Sequence, residues 1–370
     1  MLQEIILPDD KNISINFFSR ILKESLTNSY KIFWFKAIYE NIINGKKEMS
    51  FYECAVKMVS YASIPLIKYK LSLGIQDSTY QIIEKISDKY PEIFYENNLN
   101  EVEKNILKIN NLKCIKNILT LVKYVPYRLL TPFYSEDIRK LKLLDNKKNK
   151  YIEERTLEDN KCLYKILGQK IVINDKYFNY IYKNQAIIKD WIDYNLIIYL
   201  QKRNPNIPNI PFKIYLPLTR DLNEITKLWK EVLSKNKIID IYTGLEFNEE
   251  NYKKYGGLSI DHYIPWSFVL HDEKWNLIPT FKNINSSKNN NLPSLEKTLD
   301  RFCELQYILF CYIKNNKSKK CLEDYLNMNN AMQKICIKSE IDKEEFKEAL
   351  KNAIIPLYQI AYNQGYMLWK

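Results

Sequence analysis

The most informative segment of the sequence is Ser259-Ile260-Asp261-His262-Tyr263-Ile264-Pro265-Trp266-Ser267-Phe268. It begins with a predicted short strand, Leu258 to Ile260, which delivers an acidic residue and a histidine at its end. A loop follows, then a second short strand at Asn276 to Ile278, and a polar turn at which a helix begins near Asn285. This order of strand, loop, strand and helix predicts that Asp261, His262 and Asn285 lie close together.

The residue types in this cluster suit hydrolysis assisted by a metal ion. Carboxylate and amide oxygens are ligands that Mg²⁺ prefers, and two of them leave coordination positions for water and phosphate. An imidazole has an ordinary pKa of about 6.5, so His262 could accept a proton near neutral pH. A histidine by itself is more often structural, but Asp261 before it and the polar residues behind it favour a catalytic interpretation.

The pattern Asp261-His262-x-x-Pro265-x-Ser267-Phe268, then Asn276, then Asn285-x-x-Lys288 resembles the HNH nuclease family, whose core is the ββα-metal fold. The likeness is to HNH restriction enzymes and to the HNH domain of RNA-guided CRISPR effector nucleases. The resemblance implies that Asp261 and Asn285 are metal ligands and that His262 is the general base. It also implies that Asn276 braces the loop and that Lys288 contacts phosphate or stabilises the charge of the transition state.

The sequence departs from the family pattern upstream of the first strand. Asp240-Ile241-Tyr242-Thr243-Gly244-Leu245 resembles the family's Cys-x-x-Gly turn but contains no cysteine, and the chain has no CxxC pair. We therefore expect no structural zinc, and we expect Tyr242, Trp266 and Trp275 to hold the site together by packing. The expected cofactor is Mg²⁺, with Mn²⁺ as a substitute.

The loop between the two strands contains further polar residues. Asp272 and Glu273 are interpreted as loop acids or local caps, with a metal role as the alternative. His271 is interpreted as a solvated loop histidine, with substrate contact as the alternative. We expect that the ring nitrogen of His262 that does not act as the base binds a backbone carbonyl, and that this contact fixes the tautomer.

The composition is compatible with a nucleic-acid partner but does not require one. Lys and Arg number 56 against 44 Asp and Glu, a formal net charge of +12, yet almost all of the cations are lysines. A lysine-rich composition can come from an AT-rich genome, so the charge is weak support for DNA binding. Three arginines, Arg128, Arg203 and Arg220, are candidates for phosphate or base contacts, with a structural or surface role as the alternative.

The flanking sequence is predominantly helical in its apolar spacing. We predict a mainly α protein with a small α+β insertion, namely a ββα-metal (HNH) core flanked by helical regions. The predicted divisions are a helical N-terminal domain (1–145), a connecting region (146–235), the nuclease core (236–310) and C-terminal helices (311–370). Within them we expect a solvated connection at 145–160, a strand pair within 164–173, a helix at 177–201, an extended proline-rich segment at 203–211 and an amphipathic helix at 221–234.

The resemblance predicts a metal-dependent DNA endonuclease of a restriction or anti-phage defence system, giving 5′-phosphate and 3′-hydroxyl ends. Double-stranded DNA is the expected substrate, and a homodimer is a reasonable hypothesis because cutting both strands needs two sites or two visits. The N-terminal residues MLQEIILPDD lack the features of a secretion signal, and no apolar run is long enough for a membrane span. We therefore expect a cytoplasmic protein. Two alternatives stay open: a low-specificity or nicking nuclease activated by a partner protein, and a non-cleaving nucleic-acid-binding protein with a structural HNH core.

Overall fold

In a computed structural model, which describes residues 5–23, 26–217 and 220–370, the chain divides into two compact units. The first unit comprises Met1–Pro205 and Ile210–Pro217, and the second comprises Asn206–Asn209 and Leu218–Lys370. Residues 1–4, at the start of the segment that argued against secretion, lie outside the described ranges. None of the described helices combines the length and the apolar character that a membrane span requires.

The first unit is mostly helical, with one small sheet. Its helices are α1 (Ile15–Ser19), α2 (Tyr30–Ile43), α3 (Phe51–Ser63), α4 (Thr79–Lys89), α5 (Leu99–Leu107), α6 (Leu112–Thr120), α7 (Val125–Arg128), α8 (Ser135–Lys140), α9 (Asp145–Glu158), α10 (Asp175–Lys183) and α11 (Gln185–Arg203). Its strands are β1 (Glu48–Ser50), β2 (Tyr164–Leu167) and β3 (Lys170–Ile173). All pairings are antiparallel, in the order β1-β3-β2. The hairpin of β2 and β3 confirms the predicted strand pair, whereas β1 lies in a region predicted to be helical.

Three predictions for the segments of this part of the chain are wrong. The polar stretch 145–160 is not a solvated connection but contains α9, because Ile152 and Thr156 are buried while the charged residues around them face solvent. The predicted helix at 177–201 is two helices, which are separated at Asn184. The segment 203–211 is not extended, since α11 continues to Arg203 and turns follow it.

The core of the first unit is aromatic and is tied together by buried hydrogen bonds. The indole nitrogen of Trp34 donates to the Tyr164 hydroxyl at 3.0 Å, and that hydroxyl donates to the Pro126 carbonyl at 2.6 Å. Burial of large aromatic side chains with their polar ends satisfied is a stable arrangement, because no buried donor loses its partner. The three residues come from α2, β2 and α7, so this contact connects the sheet to the helices.

The second unit consists of a two-stranded antiparallel hairpin surrounded by helices. Its strands are β4 (Leu258–His262) and β5 (Leu277–Phe281), and its helices are α12 (Asn223–Lys235), α13 (Glu249–Tyr255), α14 (Trp266–Val269), α15 (Lys282–Lys288), α16 (Leu295–Asn316), α17 (Glu323–Leu326), α18 (Asn330–Ile337) and α19 (Lys343–Asn363). The chain is thus mainly α with a small α+β region, as predicted. The boundaries predicted at 145 and 310 fall inside α9 and α16.

Two helices fix the start of β5. The indole nitrogen of Trp229 in α12 donates to the Leu277 carbonyl at 3.2 Å, and the side-chain amide of Gln306 in α16 donates to the same carbonyl at 3.0 Å. Trp229 and Gln306 are both fully buried. The amphipathic helix predicted at 221–234 corresponds to α12, which packs its apolar face, including Trp229, against this hairpin. The end of the loop that carries the predicted site is therefore held by rigid elements.

Candidate active site

Strand β4 carries Asp261 and His262 to the middle of the second unit. Asp261 lies opposite Ile278 and His262 lies opposite Leu277 in the antiparallel pairing with β5. Both are almost completely buried, and each of them therefore needs polar partners.

Asn276 closes the loop that follows β4. Its side-chain oxygen accepts a hydrogen bond from the Ile264 amide at 2.8 Å, and its side-chain nitrogen donates to the Ile264 carbonyl at 2.9 Å. The Asn276 carbonyl also accepts from the Tyr263 amide at 2.9 Å. The side chain is fully buried, so it takes the place of a backbone strand partner and fixes the residues directly after His262. This position corresponds to the bracing role that the family resemblance implies for Asn276.

His262 is held at both ring nitrogens. Its Nε2 lies 2.7 Å from Asp272 Oδ1, and its Nδ1 lies 3.3 Å from the Arg220 guanidinium. A carboxylate only accepts and a guanidinium only donates, so the neutral ring has its proton on Nε2 and its lone pair on Nδ1. Burial lowers the pKa of His262; Asp272 opposes this effect, and the Arg220 charge adds to it. The ring is thus favoured in the neutral form that a general base needs.

Two expectations for this part of the loop are corrected by this geometry. The group on the second ring nitrogen is the carboxylate of Asp272 and not a backbone carbonyl. Asp272 is therefore more than a loop acid or a local cap. The sequence signal that could have identified it is a carboxylate in the same short loop as the histidine, but many loops contain such residues. Only the course of the loop shows that Asp272 returns to His262.

Arg220 reaches the site from the segment that precedes α12. Its guanidinium carbon lies 5.0 Å from the centre of the Trp266 ring, within the range of a cation–π contact, while one of its nitrogens contacts His262. Trp266 is half-buried, so its ring contacts Arg220 while part of it remains exposed to solvent. Of the three arginines singled out in the sequence, Arg220 lies at the candidate site.

The other two arginines lie in the first unit and are engaged in structural contacts. Arg128 donates to both carboxylate oxygens of Asp145 and to Asn149, which links α7 to α9. Arg203 lies with its guanidinium carbon 3.6 Å from the centre of the Tyr199 ring and also donates to the Tyr199 carbonyl. Their donors are thus directed at protein groups in this structure, and a contact of Arg128 or Arg203 with nucleic acid stays a prediction.

Asp261 is surrounded by a buried lysine and a tyrosine. The Lys288 ammonium lies 3.1 Å from Oδ1 and 3.0 Å from Oδ2, and it also donates to the His262 carbonyl at 2.8 Å. The Tyr242 hydroxyl donates to Oδ2 at 2.6 Å. The Lys288 side chain has no exposed surface, and its ammonium forms an ion pair with the Asp261 carboxylate. In this structure the Lys288 side chain points inward to Asp261, and its contact with phosphate or its stabilisation of the transition-state charge stays a prediction.

Asn285 on α15 is oriented by its amide nitrogen. That nitrogen donates to the Ser259 hydroxyl at 2.8 Å and to the Ile260 carbonyl at 3.0 Å. Within the described ranges no hydrogen bond engages its side-chain oxygen, which leaves an amide oxygen beside the end of β4. Asn285 thus lies next to the backbone of the strand that carries Asp261.

The donor set is compatible with a hard divalent cation such as Mg²⁺. An ionised carboxylate has about four acceptor positions, and Asp261 uses three of them for Lys288 and Tyr242. Asp261 and Asn285 therefore retain oxygen lone pairs on neighbouring elements. Among the described residues no group of three or more His, Cys, Asp or Glu side chains could hold a metal ion. A metal here would depend on one carboxylate, one amide oxygen and ligands from water or substrate.

The turn before β4 is held by hydrogen bonds. The buried Asp240 carboxylate accepts from the Thr243 amide at 2.8 Å and from the Thr243 hydroxyl at 2.7 Å, and Gly244 provides the positive φ of 74°. The Tyr242 ring also packs edge-on against Trp369 at 5.3 Å. Trp369 is fixed in turn, because its amide donates to the Leu292 carbonyl at 2.8 Å. The C-terminal segment therefore supports the tyrosine that contacts Asp261.

The remaining loop residues support the loop itself. Trp275 is buried and its indole nitrogen donates to Glu273. His271 packs its ring against Trp275 at 5.0 Å, and its Nδ1 accepts from the Glu273 amide at 3.4 Å. Trp275 thus contributes to the packing that was expected of it.

Comparison with known proteins agrees with this geometry. Residues 240–294 match the family model described as HNH endonuclease, a range that runs from the Asp240 turn through β4, β5 and α15. No curated protein and no solved structure shows a significant match to the chain. Residues 240–294 are therefore similar to the HNH endonuclease family, the resemblance that the sequence pattern indicated.

Proposed function

We propose that this protein is a Mg²⁺-dependent DNA endonuclease that acts in the cytoplasm as part of a restriction or anti-phage defence system. The observation that carries the proposal is the buried His262, whose Nδ1 lone pair is oriented by Asp272 and which follows Asp261 in β4, while the Asn285 amide binds the backbone of the same strand. A hydrolase that works near neutral pH needs such a base next to an oxygen-rich cation site. The family match supports nuclease activity.

In the proposed reaction His262 Nδ1 takes a proton from water while the water oxygen forms a bond to phosphorus. The bond between phosphorus and the 3′-oxygen breaks, and the leaving oxygen takes a proton from solvent, which gives 5′-phosphate and 3′-hydroxyl ends. A Mg²⁺ ion held by Asp261 and Asn285 would supply charge stabilisation to the phosphate and to the leaving oxygen. Asn276 keeps the loop after His262 in place, and Lys288 holds the Asp261 carboxylate.

Arg220 is the proposed phosphate contact of this site. Its guanidinium lies at the nitrogen that must meet the attacking water, so it has to move away from Nδ1 when substrate binds. A phosphate is the natural acceptor for the displaced guanidinium, because paired N–H donors match phosphate oxygens. The net charge of +12 also favours a polyanionic substrate, and we propose double-stranded DNA, cut by a homodimer.

The same contact supports a second candidate function. A guanidinium on the base nitrogen would keep the site inactive until it is displaced, which is what a nuclease activated by a partner protein requires. Such an enzyme would have low specificity or would nick one strand. The two candidates differ in whether the isolated protein cuts DNA.

The test is cleavage of supercoiled plasmid with Mg²⁺, with Mn²⁺ and with a chelator. His262→Ala is compared with His271→Ala, since these are the two histidines of the chain and His262 is the proposed base. Loss of a general base is expected to reduce the rate by about 10²–10⁴-fold, while His271→Ala retains activity. Sequencing of the ends then separates a recognised sequence from general cutting.

The alternatives give different results in this assay. Equal cleavage by wild type and His262→Ala would refute the proposed base. Cleavage by neither protein with either metal would favour activation by a partner, or a protein that binds nucleic acid without cutting it. Nicked circles without linear product would argue against a homodimer that cuts both strands, as would a monomeric mass in the presence of DNA.

A further inference from the structure

We propose that Asp272 is a positioning residue that fixes the ring orientation of His262 through a carboxylate–imidazole hydrogen bond. The proposal deepens the proposed function, and its catalytic consequence rests on that function. Asp272 Oδ1 lies 2.7 Å from His262 Nε2, and the imidazole is 5% exposed while the carboxylate is 32% exposed. The pair is therefore shielded on the histidine side and open to solvent on the aspartate side.

The two contacts of the imidazole define one orientation of the ring. With its proton on Nε2, the ring donates to Asp272 and presents the Nδ1 lone pair toward Arg220. A ring rotated by half a turn about its Cβ–Cγ bond would place carbon atoms against both groups and would lose both hydrogen bonds. A charge-assisted hydrogen bond at this distance is among the stronger ones in proteins, so Asp272 strongly disfavours the rotated ring.

The loop holds Asp272 in place independently of His262. Two residues further on, the Lys274 amide donates to Asp324 at 2.8 Å, and the Lys274 ammonium lies 3.0 Å from the same carboxylate. The Lys274 carbonyl accepts from Gln306 on α16 at 3.1 Å. On the other side, Leu270 adopts a left-handed backbone conformation with φ of 53°, which turns the chain back toward β4. Asp272 is thus delivered by a segment that is attached to other elements.

The attachment matters for catalysis because a base acts only in the correct direction. If the ring turned freely, Nδ1 would face the attacking water for only part of the time, and the rate would fall without a change in DNA affinity. Residues that orient a catalytic or metal-ligating histidine through its second nitrogen typically contribute about 10–100-fold to activity. The carboxylate of Asp272 has the distance and the placement for this role.

The experiment compares Asp272→Ala and Asp272→Asn in the full chain. Asparagine retains an oxygen that can accept from Nε2, so it is expected to recover part of the activity that alanine loses. We expect Asp272→Ala to lower kcat by about 10–100-fold with KM for plasmid DNA unchanged, and Asp272→Asn to lie between alanine and wild type. Asp300→Asn is the matched control, because it removes a carboxylate whose side chain is 81% exposed and pairs with Lys351.

A second measurement does not depend on cleavage. In protein labelled with ¹⁵N-histidine, the Nε2–H proton of His262 should give a downfield signal that exchanges slowly, and His271→Ala assigns it because the chain has two histidines. Asp272→Ala should abolish this signal and Asp272→Asn should retain it. If wild type cuts no DNA but the signal behaves in this way, the proposed function fails while the positioning contact stands.

Where Asp272→Ala folds, either of two results overturns the proposal. One is an Asp272→Ala protein that keeps both the wild-type kcat and the slowly exchanging Nε2–H signal. The other is an equal loss of kcat in Asp300→Asn, which would mean that any lost carboxylate has the same effect. If circular dichroism shows that Asp272→Ala does not fold, the test uses the activity and Nε2–H signal of Asp272→Asn and of wild type. A wild-type protein in which His262 has no slowly exchanging Nε2–H proton would refute the contact.

Discussion

Replacement of Lys288 by methionine should destabilise the second unit far more than the loss of a surface lysine would. The Lys288 side chain has no exposed surface, and that of its partner Asp261 is 4% exposed. The ammonium contacts both oxygens of that carboxylate and the His262 carbonyl. Removal of one member of a buried ion pair leaves the other charge buried without compensation, which costs about 3–5 kcal/mol. The Tyr242 hydroxyl would be the remaining donor to the carboxylate.

Urea unfolding with pulsed thiol alkylation can measure this cost for each unit. Cys303 on α16 is fully buried in the second unit and Cys54 on α3 is fully buried in the first, so the two thiols report on different parts of the chain. With a urea dependence of about 2 kcal/mol per molar, the expected cost shifts the Cys303 midpoint downward by about 1.5–2.5 M. The measurement is made with a chelator present, so that no cation substitutes for the lost ammonium.

A matched lysine and a double variant test the physical reason. Lys351→Met removes a lysine whose pair with Asp300 is exposed, and it should change stability by no more than about 1 kcal/mol. Asp261→Asn combined with Lys288→Met removes both charges and should cost less than the sum of the two single changes, by about 1–3 kcal/mol. A Lys288→Met midpoint equal to that of Lys351→Met would refute the argument, as would strict additivity in the double variant.

Three further predictions concern the site. Asn276→Ala leaves the buried amide and carbonyl of Ile264 without their partners, so the urea midpoint of Cys303 alkylation should fall by about 1–2 M. An unchanged midpoint would show that these two hydrogen bonds do not stabilise the fold. Arg220→Ala, made in a His262→Ala background, should reduce the steepness of log DNA affinity against log salt concentration by about one unit. Arg128→Ala is the control, because its donors are directed at Asp145, and it should leave this slope unchanged. Equal slopes for the two variants would exclude the phosphate contact of Arg220. Asn285→Ala should raise the Mg²⁺ concentration needed for half-maximal cleavage by about 10-fold or more, and an unaltered Mg²⁺ titration would exclude the amide as a ligand.

The central strand, loop, strand and helix could be predicted from the sequence because their signals are local. β4 and β5 are adjacent in the sequence and pair directly, and α15 follows β5 without an intervening loop. One continuous segment therefore supplies Asp261, His262, Asn276 and Asn285. The amphipathic helix α12 was predictable for the same reason, since its apolar residues repeat with the helical period.

Strand β1 could not be predicted in this way. It is three residues long and pairs with β3, so that Met49 lies opposite Ile171. The helical apolar spacing of the surrounding residues gives no sign of it. A short strand of this kind is stabilised by a partner that is distant in sequence, and only folding brings that partner close. The polar composition of 145–160 gives little sign of α9 for a related reason, because two buried residues suffice to dock this helix.

The candidate site residues could be identified from the sequence alone, since a short local pattern contains the histidine, the carboxylate and the amides. The tertiary structure decided how the groups are used. Lys288 lies three residues after Asn285 on the same helix, and only the packing of α15 against the hairpin turns Lys288 inward to Asp261. Asp272 and Arg220 meet His262 from a loop and from the segment before α12, and no spacing rule connects these residues. The sequence shows which residue types are available, but it does not show which side chains meet when they are distant in the chain. Those contacts depend on how the helices and strands pack in the complete structure.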